Sequence, residues 1–382
     1  MPASFALIVL AYVGMQLYAV YKASAGAGLA PPVVTGLVGW VVLMTLMPFL
    51  LWRFERHGWH RPVVAGAWVG YLWMGLVFLF FWIALVLDLF AAAVNAAGLL
   101  LRDGLPDYAP SPQHAFLLAA ALSIGLAAYG FVAARRRRVE HIALSSSKLP
   151  AGSAALRIVQ ISDVHLGALI GARRLRRILE KVRALEPDVL VSTGDLVDGQ
   201  ADHLDGLARL FASIQPRLGK FAVTGNHEFY VGYQRALDFT RRCGFTVLSG
   251  DAVALARNVT LAGVDDPAGR GVGIADRLDE LPLLAAQPRS RFTILLKHQP
   301  VVNPRALGFF DLQLSGHVHQ GQIFPFGLLV RLAYPVRAGL TRLAPQRWLY
   351  VSRGTGTWGP PMRVFAPPEI TLIEIKPVPP PR

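Results

Sequence analysis

The chain has 382 residues, enough for two domains, and its single cysteine, Cys243, excludes an internal disulfide framework and a thiolate metal cluster. It is 53% hydrophobic and 16% charged with a mean hydropathy of +0.42, a pattern rare in soluble enzymes, whose domains carry about 25% charged residues. The net charge of +14 comes from scattered arginines without a nucleic-acid recognition motif, which places lipid headgroups and phosphate-bearing substrates ahead of DNA or RNA as partners.

The apolar excess lies almost entirely before Arg135. Four stretches, residues 3–21, 33–51, 63–87 and 115–134, each approach the roughly 20 residues that cross a bilayer as a helix. The first lacks a positive start and is followed by further spans, so it reads as an anchor and not a cleaved signal. Residues 88–101 stay apolar after the third span and read as an interfacial extension, with Asp88 an interfacial carboxylate. The loop WRFERHGWHRP carries Arg53, Arg56 and Arg61, and the fourth span ends in Arg135, Arg136, Arg137 and Arg138. The other two loops, 22–32 and 102–113, hold one basic residue each. Basic residues stay cytoplasmic, so the chain is expected to cross a cell membrane four times with both termini on the cytoplasmic side. Trp40, Trp52, Trp59, Trp68 and Trp73 fall near span ends or within spans, as interfacial anchors or as packing inside the bundle.

From about residue 155 the pattern changes to strands alternating with helices. LRIVQIS, DVLVSTG and KFAVTG read as buried strands, and ARRLRRILEKVRALE, ADHLDGLARLFASI and YQRALDFTRRCG as amphipathic helices. Strands dominate later: FTVLSG, VTLAGV, RFTILLKH, DLQLSGH, LYVSRG and ITLIEI. The expectation is an α+β fold of α/β type, two packed sheets with helices outside, preceded by a four-helix membrane domain. The domains are residues 1–138 and 139–376, with a loose proline-rich tail at 377–382.

Strand after strand ends in residues able to hold a metal. LRIVQIS runs into Asp163 and His165, DVLVSTG into Asp195, KFAVTG into Asn226 and His227, RFTILLK into His298, and DLQLSG into His317 and His319. Each alone has an ordinary use as a turn or cap residue. Five strand ends in this order deliver carboxylate, amide and imidazole to one rim, where α/β sheets place their active-site crevice. Oxygen and nitrogen donors without sulfur suit manganese, zinc or iron.

SDVHLG, GDLVDG, GNHE, KHQP and GHVHQGQ resemble, in order, the five motifs of the calcineurin-like metallophosphoesterase superfamily. LAGVDDP and YVSRGTGTWGPPMRVFAPPEITLIEI extend the likeness, over residues 156–375, toward a bacterial membrane-associated branch. That branch includes phosphodiesterases similar to a UDP-2,3-diacylglucosamine pyrophosphatase. The layout with four spans is similar to that of transmembrane proteins with a metallophosphoesterase domain. The resemblance implies a β-sandwich flanked by helices and two divalent ions per chain, manganese or zinc with iron as a further candidate. Asp163, His165 and His319 would hold one ion, Asn226, His298 and His317 the other, and Asp195 both. His317 and His319 would thus serve different ions, with Val318 turned away. His227 would assist the leaving oxygen while a hydroxide bridging the ions attacks phosphorus. Asp163 is further expected to orient His227 or His165. Asp198, Glu228, Asp265 and Asp266 are candidates to support the ligands or, equally, to cap loops. Gln320 stands where relatives often have glycine and bears on the substrate. The expected function is a membrane-anchored phosphoesterase for a phosphodiester or pyrophosphate, with a lipid-linked substrate favoured. The alternatives are a phosphodiesterase for soluble nucleotide-type substrates, or a transport or sensor protein with a regulatory metal domain.

Overall fold

The computed structural model describes residues 3–101, 108–199, 204–256, 258–274 and 277–378, and divides into two compact units, Met1–Val132 with Gly359–Val364 and Ala133–Trp358 with Phe365–Arg382. Residues 102–107 of the loop at 102–113 and residues 379–382 of the tail lie outside the described residues.

The first unit is built on α1 (Ala3–Ala27), α2 (Pro31–Arg56), α3 (His60–Leu101) and α4 (Pro112–Ala133), four helices long and apolar enough to cross a membrane. α3 runs for 42 residues without a break, so residues 88–101 continue the helix of the third span. At about 1.5 Å per residue it is roughly twice as long as the hydrocarbon core is thick. Asp88 is not a lone interfacial acid: its carboxylate meets Lys22 Nζ at 2.5 Å and accepts from the Tyr18 hydroxyl. Pairing of this kind is how charge is tolerated on a span. Small residues let the helices close up. A Cβ at Gly26 of α1 would lie 2.5 Å from Phe116 Cβ of α4, and one at Gly70 of α3 would lie 2.8 Å from Met47 Cγ of α2. Trp73 packs edge-on against Trp40 and donates to Gln16, itself bonded to Thr45, so Trp73 serves the bundle interior.

The second unit holds two six-stranded sheets. The first has the order β1-β12-β2-β3-β4-β5, with β1 (Arg138–Ser146), β2 (Leu156–Ile161), β3 (Val189–Ser192), β4 (Lys220–Ala222), β5 (Thr246–Val247) and β12 (Glu369–Pro377). The second is β10-β11-β9-β8-β7-β6, with β6 (Asp251–Leu255), β7 (Val259–Gly263), β8 (Phe292–Leu296), β9 (Leu312–Ser315), β10 (Gly339–Ala344) and β11 (Arg347–Val351). In β2 and β3, Ile158, Val189 and Val191 face the second sheet and meet Leu261, Ile294, Leu296 and Leu314. Their alternates Val159, Ile161 and Leu190 face helices α5 (Ala172–Ala184), α6 (Asp205–Ala212) and α8 (Tyr233–Arg242), meeting Leu175, Ile178, Phe211 and Phe239. Burial on both faces explains why these strands read as continuous apolar runs. The far face of the second sheet is covered by Leu284 of α9 (Glu280–Ala285) with Ala306 and Phe310. This is the expected sandwich. β1, β6 and β10 are additions to the sequence reading: each borders its sheet and carries few fully buried side chains, so none shows a buried run.

Candidate metal centre

Each motif follows a strand directly. Asp163 and His165 follow β2, Asp195 follows β3, and Asn226 and His227 open the short α7 (Asn226–Tyr230) after β4. His298 follows β8, and His317 and His319 follow β9. The rim is therefore assembled from both sheets, three strands of the first and two of the second. The first sheet's loops are stitched by its backbone: Asp163 N donates to Gly194 O at 3.0 Å and His165 N to Asp195 O at 3.0 Å. The motif glycines are needed for this closeness. A Cβ on Gly225 would lie 2.1 Å from Asp195 Oδ1, and one on Gly316 would lie 2.3 Å from Asp163 Oδ2. Seven of the eleven non-glycine residues with positive φ among the described residues are Asp163, His165, Asp195, His317, His319, Gln320 and Gln322. Backbone strain collects at functional sites, and here it turns the ligand-type side chains into one place.

Two nests result. In the first, His165 Nε2 and His319 Nε2 lie 3.1 Å apart, and His319 Nε2 is 3.3 Å from Asp163 Oδ1. In the second, His317 Nδ1 and His298 Nε2 lie 3.2 Å apart, and His298 Nε2 is 3.2 Å from Asp195 Oδ2. The same Asp195 oxygen is 3.8 Å from His165 Nε2, so Asp195 reaches both nests. Among the described residues, the groups able to hold a cation are Asp163 with His165 and His319, Asp195 with His298 and His317, and His165 with Asp195 and His227. β9 ends before the two late histidines. His317 and His319 sit on a left-handed turn at φ 72° and 49°, which sends them to different nests, while Val318 packs with Leu349 and Val351.

The donor set fits divalent cations. Asn226 Oδ1 is buried with no hydrogen-bond partner, an acceptor left for a cation to meet. Burial pushes the His165 and His317 imidazoles down to about 4, which keeps them in the neutral form that ligates. Burial alone would raise Asp163, but the His319 imidazole beside it holds it well below the usual carboxylate range. His298 donates through Nδ1 to Thr193 O at 2.7 Å, which fixes its ring and leaves Nε2 facing the nest.

Asp198 Oδ1 lies 2.7 Å from His227 Nδ1, so Asp198, and not Asp163, orients His227. Asp163 instead accepts from Ser162 Oγ and from His317 N. Burial opposes charge on His227, but the Asp198 hydrogen bond and the Asp195 carboxylate outweigh it and raise the imidazole to about 9. Glu228 is 3% exposed, and its two oxygens accept from the N–H groups of Asp195, Leu196, Val197 and Gly225. Burial and then Asp195 push it up to about 7. Asp265 accepts from the Thr224, Ser249 and Tyr233 hydroxyls, while Asp266 caps residues 267–272 and accepts from Gln299. Both brace the loop behind His298 and Asn226. Gln320 keeps a buried amide oxygen without a partner.

The sequence reading passes over the aromatic rings here. Trp358 and Tyr230 lie edge-on to His227, at 5.8 Å and 5.3 Å, and Tyr334 lies 5.4 Å from His317. Gln322 holds Trp358 in place by accepting from its N–H and donating to its carbonyl. Nothing in the pattern flags these residues, because isolated aromatics in loops have no period.

The calcineurin-like phosphoesterase family profile matches residues 156–321, which contain all of these ligand-type residues. Fold, donor groups and profile together define a metal-dependent phosphoesterase. A metallophosphoesterase of Aquifex aeolicus is 41% identical over 256 residues, 67% of this chain and 98% of that protein. A Danio rerio transmembrane protein with metallophosphoesterase domain is 35% identical over 68% of this chain and 62% of its own length. The chain belongs to the calcineurin-like metallophosphoesterase family. Among solved structures, a 5'-nucleotidase precursor of Thermus thermophilus aligns with a TM-score of 0.33 and 19% identity, over 54% of this chain and 49% of that one.

Proposed function

We propose that the chain is a membrane-anchored phosphoesterase that uses two divalent cations, manganese or zinc, to cleave a phosphodiester or pyrophosphate bond of a lipid-linked substrate. Residues 1–138 anchor it and residues 139–376 form the catalytic domain, on the cytoplasmic side with both termini. Asp163, His165 and His319 hold one cation, Asn226, His298 and His317 the other, and Asp195 both. When bound, such a pair neutralises phosphoryl oxygens and supplies acidified water. The observation that carries the reading is Asp195, one carboxylate within reach of a histidine in each nest. His227, held at Nδ1 by Asp198, has Nε2 left to give a proton to the leaving oxygen. Its raised pKa keeps that proton available at neutral pH.

A lipid-linked substrate is supported by the apolar surface that follows His319. Phe324, Phe326, Leu328, Leu329 and Leu332 are exposed along the loop and α10 (Phe326–Ala333). The same loop is bonded through Gln322 to Trp358, which stands beside His227. An exposed apolar patch next to a phosphate site suits an amphiphile. The test is kcat/KM for lipid-linked and nucleotide phosphodiesters, using the full chain in detergent with manganese. Preference for lipid-linked diesters is expected. Equal or better turnover of nucleotides removes the lipid assignment, and no turnover with two cations bound removes the enzyme assignment. A reporter fused after Arg382 checks topology, and activity confined to the outer side overturns the orientation.

A further inference from the structure

Two arginines of the second unit are placed without an acid to meet them. Arg137 is 5% exposed, its Nε donates to Thr355 O at 3.1 Å, its Nη1 reaches Arg135 O at 3.5 Å, and its buried Nη2 has no partner. Arg174 donates through Nη2 to Ala134 O at 3.4 Å and through Nη1 to Leu169 O at 3.3 Å, and its buried Nε has no partner. Both guanidiniums therefore converge on the turn at 134–137 that leads into β1. The charges that act on them are other arginines. Burial first, then Arg177 and Arg135, lowers Arg137 to about 10, and burial followed by Arg137 and Arg135 lowers Arg174 to about 9. Among the described residues no carboxylate offsets either one. A buried charge without a counter-charge and buried N–H groups without acceptors are both costly, so the arrangement is incomplete as protein alone.

The start of α5 has the same need independently. Its N-cap is Gly171, which offers no side-chain acceptor, and its first turn holds no acid but Arg173 and Arg174, with Arg177 one turn on. A helix N-terminus favours negative charge, and this one is surrounded by positive charge.

We propose that Arg137, Arg174 and the first turn of α5 form a second anion site, separate from the metal centre, that takes a tetrahedral phosphate group. The guanidinium fork matches phosphate oxygens, and the positive end of the helix adds to it. The group comes from an anionic phospholipid headgroup or from free phosphate. Arg137 follows the end of α4 at Ala133 by four residues, which favours a lipid source along the chain. The site also connects to the metal centre through hydrogen bonds. Thr355, which accepts from Arg137, donates through N to Ser162 O at 2.7 Å, and Gly356 N donates to Asp163 O at 3.0 Å. Occupation of the site braces the segment that carries Asp163. The inference does not depend on the substrate proposed above.

The experiment uses the full chain stripped of divalent cations with EDTA, so that the metal centre takes no phosphate. Thermal unfolding is followed in detergent against inorganic phosphate, and in nanodiscs of phosphatidylglycerol or phosphatidylcholine. Saturable stabilisation by phosphate, by phosphatidylglycerol, or by both is expected in the unaltered chain. The half-buried Arg174→Gln should weaken it about ten-fold, the worth of one charge-assisted hydrogen bond. The exposed Arg209→Gln on α6 removes the same charge and should leave it unchanged. Stabilisation by phosphate alone assigns free phosphate, and stabilisation in phosphatidylglycerol assigns a headgroup. No stabilisation in the unaltered chain, or equal stabilisation in Arg174→Gln and Arg209→Gln, overturns the site.

Discussion

Glu228→Gln tests whether the metal centre is held together from behind. Glu228 turns both carboxylate oxygens to backbone N–H groups. Its Oε2 accepts from Gly225 N at 2.6 Å and Asp195 N at 3.0 Å, and its Oε1 from Leu196 N at 2.8 Å and Val197 N at 3.3 Å. One carboxylate thus binds the loop bearing Asp195 to the loop bearing Asn226. Glutamine keeps the length and volume but replaces one acceptor oxygen with a donor. Two buried N–H groups then face an amide N–H₂. At about 1–3 kcal/mol for each unsatisfied group, the loss is about 4 kcal/mol, a large part of the roughly 5–15 kcal/mol that stabilises a domain. For a unit of this size that corresponds to a fall in Tm of roughly 8–16 °C. At pH 8, above the raised Glu228 pKa of about 7, the carboxylate is the form replaced. Thermal unfolding of the full chain in detergent measures the loss. Metal content per chain and hydrolysis of bis(p-nitrophenyl) phosphate show whether the loops have come apart. A Tm within 2 °C of the parent (well below the roughly 8 °C expected) with full metal content would refute the clamp.

Asp195→Asn keeps the shape but removes the charge shared by the two nests, and should lose at least one cation and nearly all turnover. Asp198→Asn should keep both cations and lose about 10–100-fold, since it acts through His227; metal analysis beside turnover separates the two, and two full metals with normal turnover in Asp195→Asn sinks the shared-ligand assignment. His227→Ala should retain the metals and lose roughly 10²–10⁴-fold in kcat, and an empty site would place His227 among the ligands. Gly316→Ala should lose metal although no ligand is changed, because its Cβ falls 1.9 Å from Ser162 Oγ and 2.3 Å from Asp163 Oδ2; normal metal content in a folded variant would show that the loops have room to move.

The sequence by itself was enough to bring out the apolar spans and the motif residues that gather at the rim. The spans are visible because a bilayer demands long apolar runs, and α1 and α2 overrun theirs by six and five residues while α4 stops one residue short. The strands before Asp163, Asp195, Asn226, His298 and His317 are visible because β2, β3, β4, β8 and β9 are buried on both faces, so a polar residue directly after each run stands out. Edge strands and loop aromatics carry no such contrast, which hides β1, β10 and Trp358. Only the tertiary structure decided which acid meets which histidine. Asp198, and not Asp163, lies against His227, and Glu228 serves backbone N–H groups thirty-odd residues earlier in the chain. Those pairings depend on left-handed turns at Asp163, Asp195 and His317 and on close packing at Gly225 and Gly316. Turn handedness and loop-to-loop distance are set by the packing of two sheets against each other, and a one-dimensional pattern of apolar and polar residues holds no record of them.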